Sequence, residues 1–352
     1  MSDVARFLPW QTDLASQWLS RKDRFAHAWL VHGLPGIGKR QFLKAAAASL
    51  LCETSINGLA CGHCEACVWL AGGNHPDLRL LRPDAVAVQE DGEAPEEASE
   101  ADAGAPKKAL SRDIRVEQLR KLHDWFNTAT HRGGWRVAVL YPAEAMNAIS
   151  ANALLKVLEE PPEHTVFLIS ADAPDRLLPT LVSRCRRLPL PVPDAGQSAQ
   201  WLKEQGVDES GLWLAAAGGA PLLALQLAQS GEPACPRWLA DLLKPLARGA
   251  AVDIGSVADQ LEKQAVVAWV DALQRLFVDL LLAATGAPIR YFPSMAEEIG
   301  ATARAASFAD LSETARWLAV QRAVADHPLN VKLLTHSALQ RVALACRATV
   351  RS

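Results

Sequence analysis

Two stretches of the chain hold residue types at spacings that do chemistry. Residues 33–40 read Gly-Leu-Pro-Gly-Ile-Gly-Lys-Arg. Glycines at 33, 36 and 38 leave backbone N–H groups bare and Lys39 adds a point charge, a combination that cradles a phosphate where a helix begins. The full nucleotide loop, G-x-x-x-x-G-K-[ST], closes on a hydroxyl that holds Mg²⁺. Here Arg40 stands at that position. The loop has the shape for a nucleotide and lacks a metal ligand.

The second stretch holds Cys52, Cys61, Cys64 and Cys67, spaced C-x8-C-x2-C-x2-C. Two-residue gaps turn successive thiolates toward one centre, and four thiolates with no open position make a structural zinc site rather than a catalytic one. An iron–sulfur cluster uses the same ligand chemistry. His63 or His75 in place of one thiolate, or four free thiols, are the other readings. Cys185, Cys235 and Cys346 are scattered and ordinary.

The elements around these stretches follow from periodicity. Residues 28–32 form a short apolar run of buried-strand type, and 41–52, rich in Ala and Leu, has helical character. Strand, glycine loop and helix in that order place the cradle at a strand's carboxyl end. Strands are expected at 78–81, 136–141 and 165–170, with helices over 10–20, 116–127 and 150–160. Ser150 is the expected cap of the third helix, and Pro161 and Pro162 stop it. Strands alternating with helices predict a parallel sheet covered on both faces. Three prolines within 189–193 mark a hinge. Beyond it 194–230 reads as three short helices, and from Cys235 the pattern is helical to the end. Trp269, Leu273, Leu276 and Leu280 form a stripe best explained as core.

Hydrolysis of a bound nucleotide needs acids at a neighbouring strand end, to hold Mg²⁺ and orient water. The natural strand, 136–140, is followed by Tyr141 and Pro142. Glu144 lies close by, but past the strand end and after a proline, which disfavours it as a replacement base. With the metal hydroxyl and both strand-end carboxylates missing together, hydrolysis is not expected. Ser183, Arg184 and Cys185 close the sheet region; an arginine there either reaches a phosphate on a neighbouring subunit or forms a surface salt bridge.

Composition sets the frame. The chain has 352 residues, half of them hydrophobic and 21% charged, with net charge −3. This predicts two or three globular domains. No apolar run reaches the ~18 residues of a membrane span, and residues 1–10 carry charges and Pro9 rather than an apolar signal core. A cytoplasmic location is expected. Seven of the 39 acids (Glu90, Asp91, Glu93, Glu96, Glu97, Glu100 and Asp102) fall within 90–106, which holds no base. Without them 36 bases face 32 acids, far short of a nucleic-acid footprint. The segment from about 84 to 111 reads as a disordered acidic insertion.

The motif N-A-L-L-K-V-L-E-E-P-P at 152–162, the strand after it, and Ser183-Arg184-Cys185 closely resemble the AAA+ clamp-loader subunits of bacterial DNA polymerase III. The cysteine spacing belongs to the same family. The resemblance runs from about Phe7 to the end, interrupted by the insertion, and is strong over the first 190 residues. Farther on, only His327-Pro328-Leu329-Asn330 looks familiar. Hydrolysing members of that family carry an Asp-Glu pair at Tyr141 and Pro142, a sensor threonine near Ala171 and a sensor arginine near Leu222. All are absent here, as in the family's non-hydrolysing type.

The resemblance implies a RecA-like AAA+ parallel sheet domain over 1–190 with a four-cysteine zinc module at 52–67. It implies a three-helix lid over 191–233 and a helical collar over 234–352 for oligomerisation. It further implies a hetero-pentamer with gamma/tau and delta subunits, acting with the sliding clamp and primed DNA in replication. Arg184 would be the catalytic arginine finger, given in trans to a gamma/tau ATP site. Gly33, Gly36, Gly38 and Lys39 would form a degenerate loop with weak or no nucleotide. Neither ATPase nor polymerase activity is expected of the isolated chain, although the assembly belongs to a DNA-directed DNA polymerase, a nucleotidyltransferase. The rival readings are an autonomous AAA+ ATPase motor and a zinc-dependent DNA-binding regulator. Arg40, Tyr141 and Pro142 disfavour the first. The second wants a basic helix beside the cysteines, where 68–73 has no Lys or Arg.

Overall fold

The computed structural model describes residues 3–20, 25–91, 110–126, 130–131, 134–262, 264–325 and 330–347. The chain divides into two compact units, residues 1–194 and 195–352.

The first unit is built on five parallel strands: β1 Ala28–His32, β2 Leu78–Leu81, β3 Arg136–Leu140, β4 Thr165–Ala171 and β5 Arg186–Pro189, in the order β2-β3-β4-β1-β5. This is the parallel sheet expected of the AAA+ type. β3 and β4 are buried at every position and β1 at all but its last, so they read as unbroken apolar runs. β5 is a different case. Arg186, Arg187 and Pro189 are exposed and Leu188 alone is buried, so no apolar pattern announces it. An edge strand tolerates charge and a terminal proline. It is held by pairing with β1, Leu188 opposite Val31.

The helices of this unit are α1 Thr12–Leu19, α2 Lys39–Leu51, α3 Glu65–Ala71, α4 Asp84–Asp91, α5 Val116–Phe126, α6 Ala148–Glu159 and α7 Pro179–Arg184. Two differ from the expectation. Helix α6 begins two residues early, capped by Asn147, whose side chain accepts from Ser150 N at 2.9 Å. Ser150 is not the cap; its hydroxyl donates to Ile114 O at 2.8 Å and ties the helix to the segment before α5. Helix α4 corrects the expected insertion. Residues 84–91 are helical, begun by Pro83, whose carbonyl accepts from Val86 N and Ala87 N. Residues 92–109 lie outside the described part.

The second unit is helical. Helices α8 Ala195–Glu204, α9 Ser210–Ala216 and α10 Pro221–Ala228 share a small core of Leu202, Val207, Leu214, Ala217 and Ala224. Helices α11 Arg237–Ala247, α12 Ile254–Leu261, α13 Val266–Ala284, α14 Ala296–Ala305, α15 Phe308–Val324 and α16 Val331–Ala345 enclose a larger core. The stripe Trp269, Leu273, Leu276 and Leu280 of α13 lies fully inside it. Asp279, also fully buried on α13, accepts from the N–H groups of Arg290, Tyr291 and Phe292 and fastens the following loop. Asn330 caps α16 through Leu333 N; residues 326–329 are outside the described part. No single helix among the described residues is long and apolar enough to cross a membrane.

Candidate functional site

The glycine loop leaves the end of β1 and opens α2, at the carboxyl edge of the sheet where ligands of such folds bind. Its geometry is locked by neighbours. A side chain at Gly33 would put its Cβ 2.7 Å from Leu190 O and 2.8 Å from Ile37 Cδ1, so a glycine is required there for packing alone. Gly38 caps α2 at φ +90°, a left-handed conformation that favours glycine. Trp10 Nε1 and Gln11 Nε2 both donate to Ile37 O, and Gln11 Nε2 also to Gly38 O.

Lys39 is engaged inside the loop. Its ammonium donates to Gly33 O at 2.8 Å and Leu34 O at 2.6 Å and pairs with Asp172 Oδ1 at 2.5 Å. The lysine is 7% exposed, so these bonds replace nearly all its water. Asp172 follows directly after Ala171, the end of β4. Glu144, weighed above as a replacement base, braces that turn: its Oε1 accepts from Asp172 N at 2.6 Å and Ala173 N at 2.7 Å.

Tyr141, directly after β3, is fully buried, and burial together with Glu90 pushes its phenol well above the usual range. Its hydroxyl donates to Glu90 Oε2 at 2.6 Å and accepts from Arg82 Nη1 at 3.0 Å. Glu90 comes from α4, inside the stretch expected to be disordered. Arg40, at the metal-ligand position, faces Glu90 Oε1 at 3.4 Å. The acids and bases of this edge are therefore paired with each other.

Arg184 ends α7. It donates to Thr180 O at 2.9 Å and to Glu159 Oε1 at 2.5 Å, with a third of its side chain exposed. The preceding residue, Ser183, lines a cleft of about 500 Å³ together with His32, Asp175 and Arg187 among others. Burial, with the charges of Arg187 and Lys39, lowers the pKa of His32.

The four cysteines converge. Their sulfur atoms all lie within 4.8 Å of one another, with Cys52 Sγ to Cys64 Sγ at 3.8 Å and Cys61 Sγ to Cys67 Sγ at 3.9 Å. Four sulfurs at ~2.3 Å from a tetrahedral zinc stand ~3.8 Å apart, so the set fits that ion. Cys52 caps the end of α2, Cys64 caps the start of α3 and Cys67 lies on its first turn. Cys61 Sγ accepts from Thr54 Oγ1 at 3.2 Å, His63 N at 3.5 Å and Cys64 N at 3.3 Å. The Thr54 hydroxyl first, then the His63 amide, lower the Cys61 pKa to about 5 and ready it as a thiolate. His63 Nδ1 turns to Cys61 O rather than to the sulfurs.

Sequence patterns did not show Asp172, Gln11, Thr54, Arg82 or Glu90 in these roles. The one available signal is Pro83-Asp84 followed by seven residues free of Gly and Pro, a helix start.

A model of the family described as DNA polymerase III, delta subunit, matches residues 12–194. The chain is 41% identical over 232 residues to the DNA polymerase III subunit delta-prime of Pseudomonas aeruginosa, covering 65% of this chain and 63% of that protein. It is 37% identical over 211 residues to the Yersinia pestis subunit delta-prime, covering 58% and 55%. Against the Escherichia coli subunit tau it is 33% identical over 174 residues, covering 49% of this chain and 23% of that one. Each match spans less than two thirds of the relative's own length.

Proposed function

Because the chain belongs to the DNA polymerase III delta subunit family and its relatives there are subunits delta-prime, we propose that it serves in the clamp loader as a brace that does not hydrolyse ATP. In that role it sits beside tau/gamma and delta subunits in a pentamer that places the sliding clamp on primed DNA. It holds its own loop closed and lends Arg184 to the ATP of a neighbour. A place in the cytoplasm goes with this role. The helices after residue 194 divide near 233 into lid and collar, in keeping with their two hydrophobic cores.

The observation that carries the reading is Lys39. A lysine that activates a phosphate must face it; this one is bound to two carbonyls of its own loop and to Asp172. Tyr141 and Arg40 supply no metal ligand on either side of it. Support for the finger is geometric: Arg184 is the last residue of a short helix, partly exposed, held by a carboxylate that it can exchange for a phosphate.

The cysteine cluster is read as a structural zinc site with Cys52, Cys61, Cys64 and Cys67 as its four ligands. The ion would neutralise the thiolates and tie α2 to α3. No coordination position is left open for substrate.

The purified full chain, supplied with magnesium and ATP, should show no turnover above a protein-free control. Steady magnesium-dependent turnover would overturn the brace and restore the motor reading. Co-purification with delta and tau/gamma subunits checks the assembly; a chain that elutes alone from that mixture refutes the role.

A further inference from the structure

We infer that Arg40, Lys44, Arg82 and Tyr141 form an anion-binding site, separate from the Lys39 cradle of the glycine loop, which the chain fills with its own Glu90 and which takes a phosphate when α4 withdraws. Glu90 Oε2 accepts from Lys44 Nζ at 2.7 Å, from the Tyr141 hydroxyl at 2.6 Å, and from Arg82 Nη1. Glu90 Oε1 faces Arg40 Nη1 at 3.4 Å. Four donors from three elements thus converge on one carboxylate. Arg82 follows β2, Tyr141 follows β3, and Arg40 and Lys44 lie in the first two turns of α2. Carboxyl ends of parallel strands are where ligands of this architecture sit.

The site is built rather than incidental. Tyr141 is fully buried and the Arg82 and Glu90 side chains are 9% and 18% exposed. Burial alone would raise the Glu90 pKa; Lys44, Tyr141 and Arg82 outweigh it and lower it. Three cations around a single negative charge leave positive charge over, and one carboxylate has two acceptor atoms. A phosphate dianion brings two charges and more acceptors in a similar space, so it matches the same donors better. Arginine and lysine without an anion would repel each other at this range, which keeps the site from standing empty.

The occupant is removable. Helix α4 has eight residues, and none of residues 84–90 is fully buried. Besides Glu90, Asp84 Oδ1 pairs with Arg115 Nη2 at 3.3 Å and Ala85 N donates to Ser111 O at 3.1 Å, both at the start of the helix and away from the Glu90 end. A helix this short has little stability of its own, so at its C-terminal end docking rests on the Glu90 contacts. An oxyanion that competes for them undocks it.

Calorimetry of the full chain with inorganic phosphate tests this. Glu90→Ala should bind phosphate at least about tenfold more tightly than wild type, a gain of ~1.4 kcal/mol. Equal affinities would overturn the proposal. Adding Lys39→Ala to Glu90→Ala should keep the binding, whereas adding Arg82→Ala should abolish it. The reverse pattern would place the anion on the glycine loop and refute a separate site. A measurement on the unaltered protein guards against a folding defect. Amides of residues 86–91 should exchange hydrogen faster in phosphate than in chloride of equal ionic strength; unchanged exchange would count against displacement of Glu90.

Discussion

Arg184→Ala should leave the chain folded and able to assemble, while slowing ATP hydrolysis at the one neighbouring site it faces by about 10³-fold or more, the usual worth of an arginine finger. The structural cost is small. The Glu159 partner is half-exposed and the arginine a third exposed, and exposed pairs contribute about 0–1 kcal/mol. The bond to Thr180 O lies at the end of a six-residue helix and is replaceable by water. Arg184→Lys should rescue only part of the rate, because an ammonium keeps the charge without the guanidinium's two-pronged geometry. Single-turnover hydrolysis by the reconstituted assembly measures this, since other ATP sites would mask one slow site at steady state. An unchanged burst in the Ala variant would leave Arg184 as a surface salt bridge.

Stripping metal from the protein should cost on the order of 10 kcal/mol of local folding free energy, the scale of a structural zinc site. The loss should be confined to 52–71. That module has a small apolar core, Val4, Ala48, Cys52 and Cys67, two of which belong to the cysteine cluster itself. Without an ion, sulfurs brought to 3.8–3.9 Å of each other are held only by the hydrogen bonds to Cys61 and Cys52. The sheet does not depend on the cluster: β1, β3 and β4 are buried against α5, α6 and α7 as well as α2. Hydrogen exchange after chelation should therefore show 53–64 opening while 136–140 and 165–171 stay protected. Cys64→Ser should do the same and lower bound zinc below one equivalent. Purified protein with less than about half an equivalent of zinc would dismiss the metal reading.

The proposed role as a brace that does not hydrolyse ATP rests on the glycine loop and its surroundings. Residues at the positions of nucleotide chemistry have been turned to one another: Lys39 to Asp172, Arg40 and Tyr141 to Glu90. Glu144 serves by bracing the turn that brings Asp172 to Lys39. Replacing one member leaves a charge that must find another partner.

Whatever depends on neighbours along the chain could be read from the amino-acid order. The apolar runs at 28–32 and 136–140, the glycine loop, the cysteine spacing and the stripe on α13 each reveal themselves within some twenty residues. Burial of a strand or of a helix face needs only periodicity. The missing carboxylates and hydroxyl were legible for the same reason, because a motif fixes where they should be. The remaining features arose only when distant segments met. Lys39 meets Asp172, Glu90 meets Tyr141 and Thr54 meets Cys61 through folding, in pairings that no local pattern encodes. β5 and α4 escaped notice because each is held by partners rather than by an apolar pattern of its own, β5 by backbone pairing with β1 and α4 by ion pairs. A charged residue in sequence reads as solvated until the fold supplies its counter-charge, and here the counter-charges define the site.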